Sequence, residues 1–432
     1  MKILVVSNLY PPDVLGGYEL GCRQAVDALR ARGHEVLVLT SASASISSLK
    51  AQSHVLRTLK LTDLWDSYSD KRSTQSALRL KEAEAFQISA FNVHALTRAL
   101  EDFTPDVVYL WMLVGIGGLG LVGTLRHLGV PWVWHLMDDV PPRLCMTFYE
   151  VRAALAHEFS RQFQGTFLAC SQQLLDDIAR RGFSLGDRVE VVPNWLSGPV
   201  PPLRSRFRGP GEPLRIVAAA ATIERSYDKG IDLLIKAAAL LHDAGNDAFS
   251  IEIFGQINDA YFPELVRSLG VDHLVRFRGS IDRSSLLASY AIYDVFAFPG
   301  RVGEPNAFAP LEAMPSGCVP VLSREGGNCE WLVHGVHCLK VPRTARGFAE
   351  AFGIIAGGEI SLEAIGRRAA GAVRRDFHLE AVIPTIERAL ILASNRPRER
   401  AGSADEVNRL ALLAEKITQI FMQEPYLVKT SA

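Results

Sequence analysis

Two glutamates, Glu304 and Glu312, stand eight residues apart in the run Gly303–Gly327, GEPNAFAPLEAMPSGCVPVLSREGG. Pro305 bars any helix from continuing through Gly-Glu-Pro-Asn. The spacing predicts a short helix over Ala309–Met314, stopped by Pro315-Ser316-Gly317, then a buried strand from Val319. Glu304 then falls just outside a helix start and Glu312 inside that helix. Eight helical residues rise about 12 Å. That exceeds the roughly 5 Å carboxylate pair of a retaining glycosidase and the roughly 6.5–9.5 Å pair of an inverting one. Two acids so placed suit one extended ligand: an anion such as a diphosphate at the helix start, with hydroxyls donating to an acid at either end.

Further residues carry compatible chemistry. Gly16-Gly17-Tyr18-Glu19 opens a helix with two glycines, where backbone can approach a phosphate; it is not G-x-G-x-x-G, so a dinucleotide fingerprint is absent. Lys229-Gly230 begins another helix and offers a cation. His135 and Asp138-Asp139 close a strand, Pro131–Leu136. Asp138 and Asp139 can orient an acceptor hydroxyl or cap the following turn. No D-x-D and no His/Cys cluster stands out, so no metal ligand set is predicted. The six cysteines form no C-x-x-C pair and read as reduced, buried thiols.

The elements that must position these residues alternate strand and helix. Lys2–Ser7, Tyr18–Arg32 and His34–Thr40 form a βαβ opening, which implies a parallel sheet with ligands beyond the strands' carboxyl ends. Val189–Asn194 closes this first series. Ser197–Pro213, rich in Pro, Gly and Arg, reads as the domain boundary. The rhythm restarts with strands at Leu214–Ala221, Phe249–Phe254, Val275–Arg278 and Tyr293–Phe298 and a helix at Ile231–Asp243, giving a second doubly wound sheet. An apolar helix over Leu379–Ser394 and a last one opened by the capping box Ser403–Glu406 end the pattern, with Val407, Leu410, Leu413, Ala414, Ile417 and Phe421 on one stripe. The expected organisation is an N-terminal domain 1–200, a linker 201–213, a second domain 214–378 and C-terminal helices 379–432.

At 432 residues, 48% hydrophobic and 22% charged, the chain is an ordinary globular one of two-domain size. A net charge of −1 without a basic block argues against nucleic acid as partner. Val107–Leu125 is uncharged over bilayer length, but its five glycines favour a buried strand, a loop and a helix. MKILVVSN is too short for a signal peptide, so a cytoplasmic location is expected, with any membrane contact peripheral on the inner face. Ser41–Arg98 interleaves cations such as Lys50, Arg57, Lys60 and Lys71 with apolar Leu56, Leu61 and Trp65. It suits an anionic acceptor or headgroups, and equally a solvated amphipathic face.

The motif Glu304-Pro305, Ala307-Phe308, Pro310-Leu311-Glu312-Ala313-Met314, Gly317, Pro320-Val321 and Gly326-Gly327 resembles the E-x7-E signature of retaining GT-B glycosyltransferases, glycosyltransferase family 4. The resemblance implies two Rossmann-like α/β domains facing across a cleft, with C-terminal helices crossing back to the first. It implies transfer of a sugar from a nucleotide diphosphate (UDP-, GDP- or dTDP-linked) to a carbohydrate or lipid-linked hydroxyl, with retention and without metal or other cofactor, in surface polysaccharide, glycolipid or glycoconjugate synthesis. It implies catalytic roles for Glu304, Lys229, His135 and Asp138, and donor contacts from Gly17, Arg225, Lys229, Gly279, Glu304, Asn306, Ala307, Phe308 and Glu312. The first acid would contact the donor sugar, the second the ribose. The chain departs from the family at three points. Met137 occupies the usual His position, leaving His135, two residues earlier, as substitute or as a buried histidine. Trp195 replaces a Gly in VVPNWL. No G-R-L precedes Lys229, and Arg225 is the nearest cation. The missing G-R-L Arg and the displaced His keep open a non-catalytic donor-binding subunit, and a sugar-nucleotide epimerase of the same fold, with carboxylates and histidines around the sugar and no acceptor site, is the other alternative.

Overall fold

The computed structural model describes residues 1–41, 52–62, 81–145, 163, 165–224, 229–300 and 302–423. The chain divides into two compact units, one of Met1–Ala169, Leu174–Val192 and Ile383–Ala432, the other of Cys170–Gln173 and Pro193–Val382.

The first unit is built on a seven-stranded parallel sheet, β1 (Lys2–Val6), β2 (Glu35–Ser41), β3 (Val55–Leu59), β4 (Val107–Leu110), β5 (Trp132–Leu136), β6 (Thr166–Ala169) and β7 (Val189–Val191), in the order β3-β2-β1-β4-β5-β6-β7. Ile3, Leu4, Val5 and Val6 are fully buried. A central parallel strand is covered on both faces, so its sequence is continuously apolar rather than alternating. Helices α1 (Gly17–Ala31), α2 (Ala90–Phe103) and α3 (Gly118–His127) connect the strands. The uncharged run after Val107 is therefore β4, a glycine-rich loop and α3. No helix among the described residues is long and apolar enough to cross a membrane.

The second unit carries a six-stranded parallel sheet: β8 (Leu214–Ile223), β9 (Phe249–Ile257), β10 (Val275–Gly279), β11 (Val295–Phe298), β12 (Val319–Ser323) and β13 (Leu339–Val341), ordered β10-β9-β8-β11-β12-β13. α4 (Ile231–Asp243) follows β8, and α5 (Ala345–Ala356) packs beside it over the sheet. Gly255 in β9 has φ +148°, and a Cβ there would meet the Ala220 carbonyl oxygen at 2.3 Å, so only glycine fits against β8.

The boundary differs from the sequence expectation. Ser197–Pro213 is no linker, because Arg204 buries itself in the second unit. Its guanidinium donates to the carbonyls of Ser316 (3.1 Å), Tyr290 (3.2 Å) and Tyr293 and faces Asp294 at 3.4 Å. The division falls at Val192/Pro193, and the chain leaves the second unit after Val382, inside α6 (Leu379–Ser394).

The last helix, α7 (Ala404–Gln423), starts as expected, with Ser403 Oγ accepting from Glu406 N. Its buried face is not the expected stripe. Val407 and Ala411 are buried while Leu410 and Leu413 are exposed, and α7 packs on α2. Polar contacts set that rotation: Asn408 accepts from Thr97 Oγ1 at 3.3 Å, and Glu415 accepts from Ala90 N at the start of α2. The side chains of Ile417 and Phe421 lie outside the described residues. All six cysteines are buried and none is in a disulfide.

Candidate functional site

In an open parallel sheet, the loops leaving two neighbouring strands in opposite directions part at the carboxyl edge and leave a crevice there. In the second unit that point lies between β8 and β11. The β8 loop ends at Lys229-Gly230 and the β11 loop carries Glu304. The two side chains meet: Lys229 Nζ donates to Glu304 Oε2 at 2.6 Å, with side chains 18% and 9% exposed. A charge-assisted contact of this kind is short and strong because water barely competes.

The surrounding backbone holds the pair. Gly230 caps α4 at φ +79°, and a Cβ there would lie 2.4 Å from Pro299, so the loops approach through a glycine. Gly327 N donates to the Glu304 carbonyl at 2.9 Å, and a Cβ on Gly327 would sit 1.6 Å from the Pro305 oxygen. Gly326-Gly327 is thus the floor under Glu304-Pro305.

Glu312 lies on a helix of Phe308–Ala313, one residue earlier at each end than expected and continued by a 3-10 turn at Met314–Ser316. No side chain caps its start. Arg283, which the sequence reading missed, donates to Glu312 Oε1 through Nε (2.9 Å) and Nη2 (2.7 Å). The pairing spans 29 residues and has no local signature.

Asn306 turns its side chain into the framework: Nδ2 donates to Cys170 O at 3.1 Å and Oδ1 accepts from Asn328 at 2.7 Å. Asn328, also missed, holds the N–H and the carbonyl of Ala307. Phe308 packs edge-on to the buried Trp195, at 6.2 Å between ring centres. The indole standing where the family has Gly therefore supports the helix carrying Glu312. Gly279, at φ +72°, ends β10 with nothing within 4 Å of a Cβ. Arg225 lies outside the described residues. A second cation, unforeseen, sits by the Glu304 loop: Arg343 Nε donates to Gly300 O at 2.9 Å.

The first unit presents its own switch point between β1 and β4. Gly17 opens α1 there, and a Cβ on Gly16 would meet nothing within 4 Å. Packing does not demand that glycine; its bareness leaves space beside a fifteen-residue helix start. Glu19 folds back to accept from Gly16 N (2.9 Å) and Leu15 N (3.2 Å), and burial raises its pKa. Arg57 is held to this loop by the carbonyls of Tyr10 and Pro11.

His135 is fully buried, stacked on Trp111 at 4.7 Å, with Nδ1 2.7 Å from the Tyr109 hydroxyl. Burial pushes its pKa down to about 3. Of its two readings, the buried histidine describes this position. The strand alternation that suggested otherwise gives a face but not a layer, and β5 is covered on both sides. Asp138 accepts from Asp139 N (3.0 Å) and faces Arg143 (3.5 Å), while Asp139 binds Arg143 and Arg181 at 2.6 Å each. Both acids are thereby tied to the turn after β5.

Among the described residues of Ser41–Arg98, Arg57 and Lys60 serve separate partners, Arg57 the carbonyls of Tyr10 and Pro11 and Lys60 the carboxylate of Glu84. Lys60 pairs with Glu84 at 2.7 Å beside a cavity of about 560 Å³ in the first unit, which holds none of the expected site residues. Lys50 and Lys71 lie outside the described residues.

Two family models match the chain: a glycosyl transferase 4-like domain over residues 16–195 and glycosyl transferases group 1 over residues 213–370. Among curated proteins, the chain is 25% identical to an uncharacterized glycosyltransferase of Methanocaldococcus jannaschii, over 78% of this chain and 84% of that one. It is 24% identical to the glycogen synthase of Mycobacterium tuberculosis, over 92% and 96%. Among solved structures, sucrose-phosphate synthase from Thermosynechococcus elongatus has a similar fold, with TM-score 0.68 and 18% identity over 90% of this chain and 97% of that one. So does Anabaena HepE in complex with UDP and glucose, with TM-score 0.64 and 18% identity over 91% and 100%. The paired parallel sheets, the acid–lysine contact at the second switch point and the two matched models lead to one assignment: the chain belongs to the group 1 glycosyltransferases, enzymes of the GT-B fold that use nucleotide sugars.

Proposed function

We propose that this protein transfers a sugar from a nucleotide diphosphate to a carbohydrate or lipid-linked hydroxyl with retention of anomeric configuration and without a metal ion. The observation that carries the reading is the Lys229–Glu304 contact at the β8/β11 switch point. The bond between the anomeric carbon and the diphosphate oxygen breaks, and the acceptor oxygen bonds to the same face of that carbon. The acceptor proton passes to the departing diphosphate oxygen. Lys229 meets the charge that develops there, Glu304 accepts from sugar hydroxyls, and Glu312, oriented by Arg283, accepts from the ribose. Gly279 flanks the base. Gly17, at the open helix start of the first unit, lets backbone approach the diphosphate or the acceptor.

A charge-assisted hydrogen bond contributes about 1.5–3 kcal/mol, while enzymes lower barriers by roughly 8–23 kcal/mol. Several aligned contacts and exclusion of water must therefore act together. UDP and UDP-glucose occupy the HepE complexes, and a lipopolysaccharide galactosyltransferase, WaaB, has a similar fold. These neighbours support a uridine-linked donor as the first probe and surface glycoconjugate synthesis as the setting, and we infer from that setting a peripheral contact with the inner face of the membrane.

The test incubates the protein with UDP-, GDP- and dTDP-sugars and oligosaccharide acceptors, with and without EDTA, and reads the product's anomeric proton by NMR. The expected result is an α-linked product from an α-linked donor, one nucleoside diphosphate per bond, unaffected by EDTA. A β-linked product, or epimer formation from donor alone, overturns the reading.

A further inference from the structure

At the opposite edge of the second sheet from Lys229 and Glu304, three side chains from separate connections converge. His242 is at the end of α4, Asp247 in the turn before β9, and His273 just before β10. His242 Nδ1 lies 2.8 Å from Asp247 Oδ1, and His273 Nε2 lies 3.9 Å from Asp247 Oδ2. One donor atom from each residue falls within 4.8 Å of the others, and the imidazoles stand edge to face at 5.1 Å. We propose that His242, Asp247 and His273 bind a divalent transition ion of the zinc class, clipping the amino-terminal edge of this sheet.

The geometry is close to what such an ion needs. Metal–ligand bonds of about 2.0–2.1 Å in a tetrahedron separate ligands by about 3.3 Å. The separations of 2.8 and 3.9 Å run to the two oxygens of Asp247, the three donor atoms lie within 4.8 Å of one another, and side chains 38–49% exposed have room to close on one ion. The fourth position faces solvent and takes water. Two imidazole nitrogens and one carboxylate oxygen favour zinc, cobalt or nickel over magnesium, which prefers oxygen ligands. A ligating histidine commonly turns its other nitrogen to a carboxylate that fixes the ring. Asp272 Oδ2 lies 4.0 Å from His273 Nδ1, near enough to add negative charge but beyond hydrogen-bond distance. With Asp243 beside His242, three carboxylates surround the two imidazoles and attract a cation. Because the clip joins α4 to the turns entering β9 and β10, an ion there stabilises the sheet without touching the transfer chemistry. The inference is independent of the transfer reading.

The test strips the full-length protein with chelator, titrates Zn²⁺ by calorimetry and Co²⁺ by visible absorption, and follows Tm with each ion. Expected are one equivalent bound, a Tm raised by Zn²⁺ and not by Mg²⁺, and affinity at least about tenfold weaker in His242→Gln or His273→Gln. Far-UV circular dichroism checks that each variant is folded. Failure to take up stoichiometric Zn²⁺, or uptake unchanged in folded His242→Gln and His273→Gln proteins, overturns the proposal.

Discussion

Replacing Lys229 by Met separates its two roles, which act through different free energies. Glu304 is 9% exposed at its side chain and receives a 2.6 Å charge-assisted hydrogen bond from Lys229. Breaking a buried ion pair from one side costs about 3–5 kcal/mol, because the remaining charge stays desolvated. Lys229 keeps 18% exposure, so water can reach part of the vacated volume, which puts the cost at the lower end, about 3 kcal/mol. In a unit of this size that lowers Tm by roughly 6–12 °C. Lys229→Met with Glu304→Gln removes both charges, and the double variant recovers most of the lost stability.

Activity responds differently. A contact to the leaving diphosphate is worth about 1.5–3 kcal/mol, so Lys229→Met lowers kcat/KM roughly 10- to 150-fold, chiefly through kcat. The double variant still lacks the Lys229 ammonium and recovers no activity. Urea melts and nucleoside diphosphate release, measured on the unaltered protein, Lys229→Met, Glu304→Gln and the double variant, complete the cycle. Activity recovering in parallel with stability refutes the reasoning: Lys229 would then serve only to neutralise Glu304. An unchanged kcat/KM in Lys229→Met refutes it more simply.

Arg283→Met removes both donors to Glu312; KM for the nucleotide sugar rises about tenfold with kcat within about twofold, as for binding equal in ground and transition states, and a fall in kcat at constant KM in initial rates excludes that role. Gly327→Ala forces a Cβ to within 1.6 Å of the Pro305 oxygen; the loop must shift, lowering stability by about 1–3 kcal/mol and weakening donor binding together, which a melt with and without UDP-sugar measures. His135 is held neutral down to about pH 3 by burial, against an ordinary value of 6.5. Between those pH values the unfolded chain binds a proton that the folded chain does not, so stability is lost on acidification by about 1.4 kcal/mol per pH unit. Urea unfolding from pH 4.5 to 6.5 reads that slope, which flattens in His135→Gln, whose amide can still meet the Tyr109 hydroxyl; an equal slope in both proteins excludes the effect.

The alternation of buried strands and amphipathic helices made both sheets legible, since a βαβ rhythm writes itself into hydrophobic periodicity. The boundary was not legible, because composition at Ser197–Pro213 looks like a linker while Arg204's four acceptors come from residues 86 to 112 positions away. Glu304 and Lys229 were legible as motifs. Their contact was implied only by topology, which places the loops after β8 and β11 side by side. Arg283, Asn328 and Arg343 each act on the site across a distance in sequence with no periodic or local trace. The face of α7 failed for a related reason. Two polar anchors, Asn408 and Glu415, set its rotation against a stripe that hydrophobicity alone would turn inward.

The two sheets share one topology, yet their switch points differ in charge, and that difference bears on which ligand each takes. Beside β8 and β11, Lys229 and Glu304 face one another, and Arg343 donates to the same loop at Gly300. Beside β1 and β4, the loop before α1 contains no Lys or Arg from Asn8 to Gly17. Arg57, which reaches it, is engaged by backbone carbonyls at 2.6 and 3.2 Å. A diphosphate needs fixed positive charge near its oxygens, and the second switch point alone provides a lysine poised against an acid. An acceptor hydroxyl, being neutral, needs room and a few dipoles, which the bare Gly16 and the start of α1 supply. The charge asymmetry thus supports assigning donor to the second unit and acceptor to the first, on grounds independent of any sequence motif.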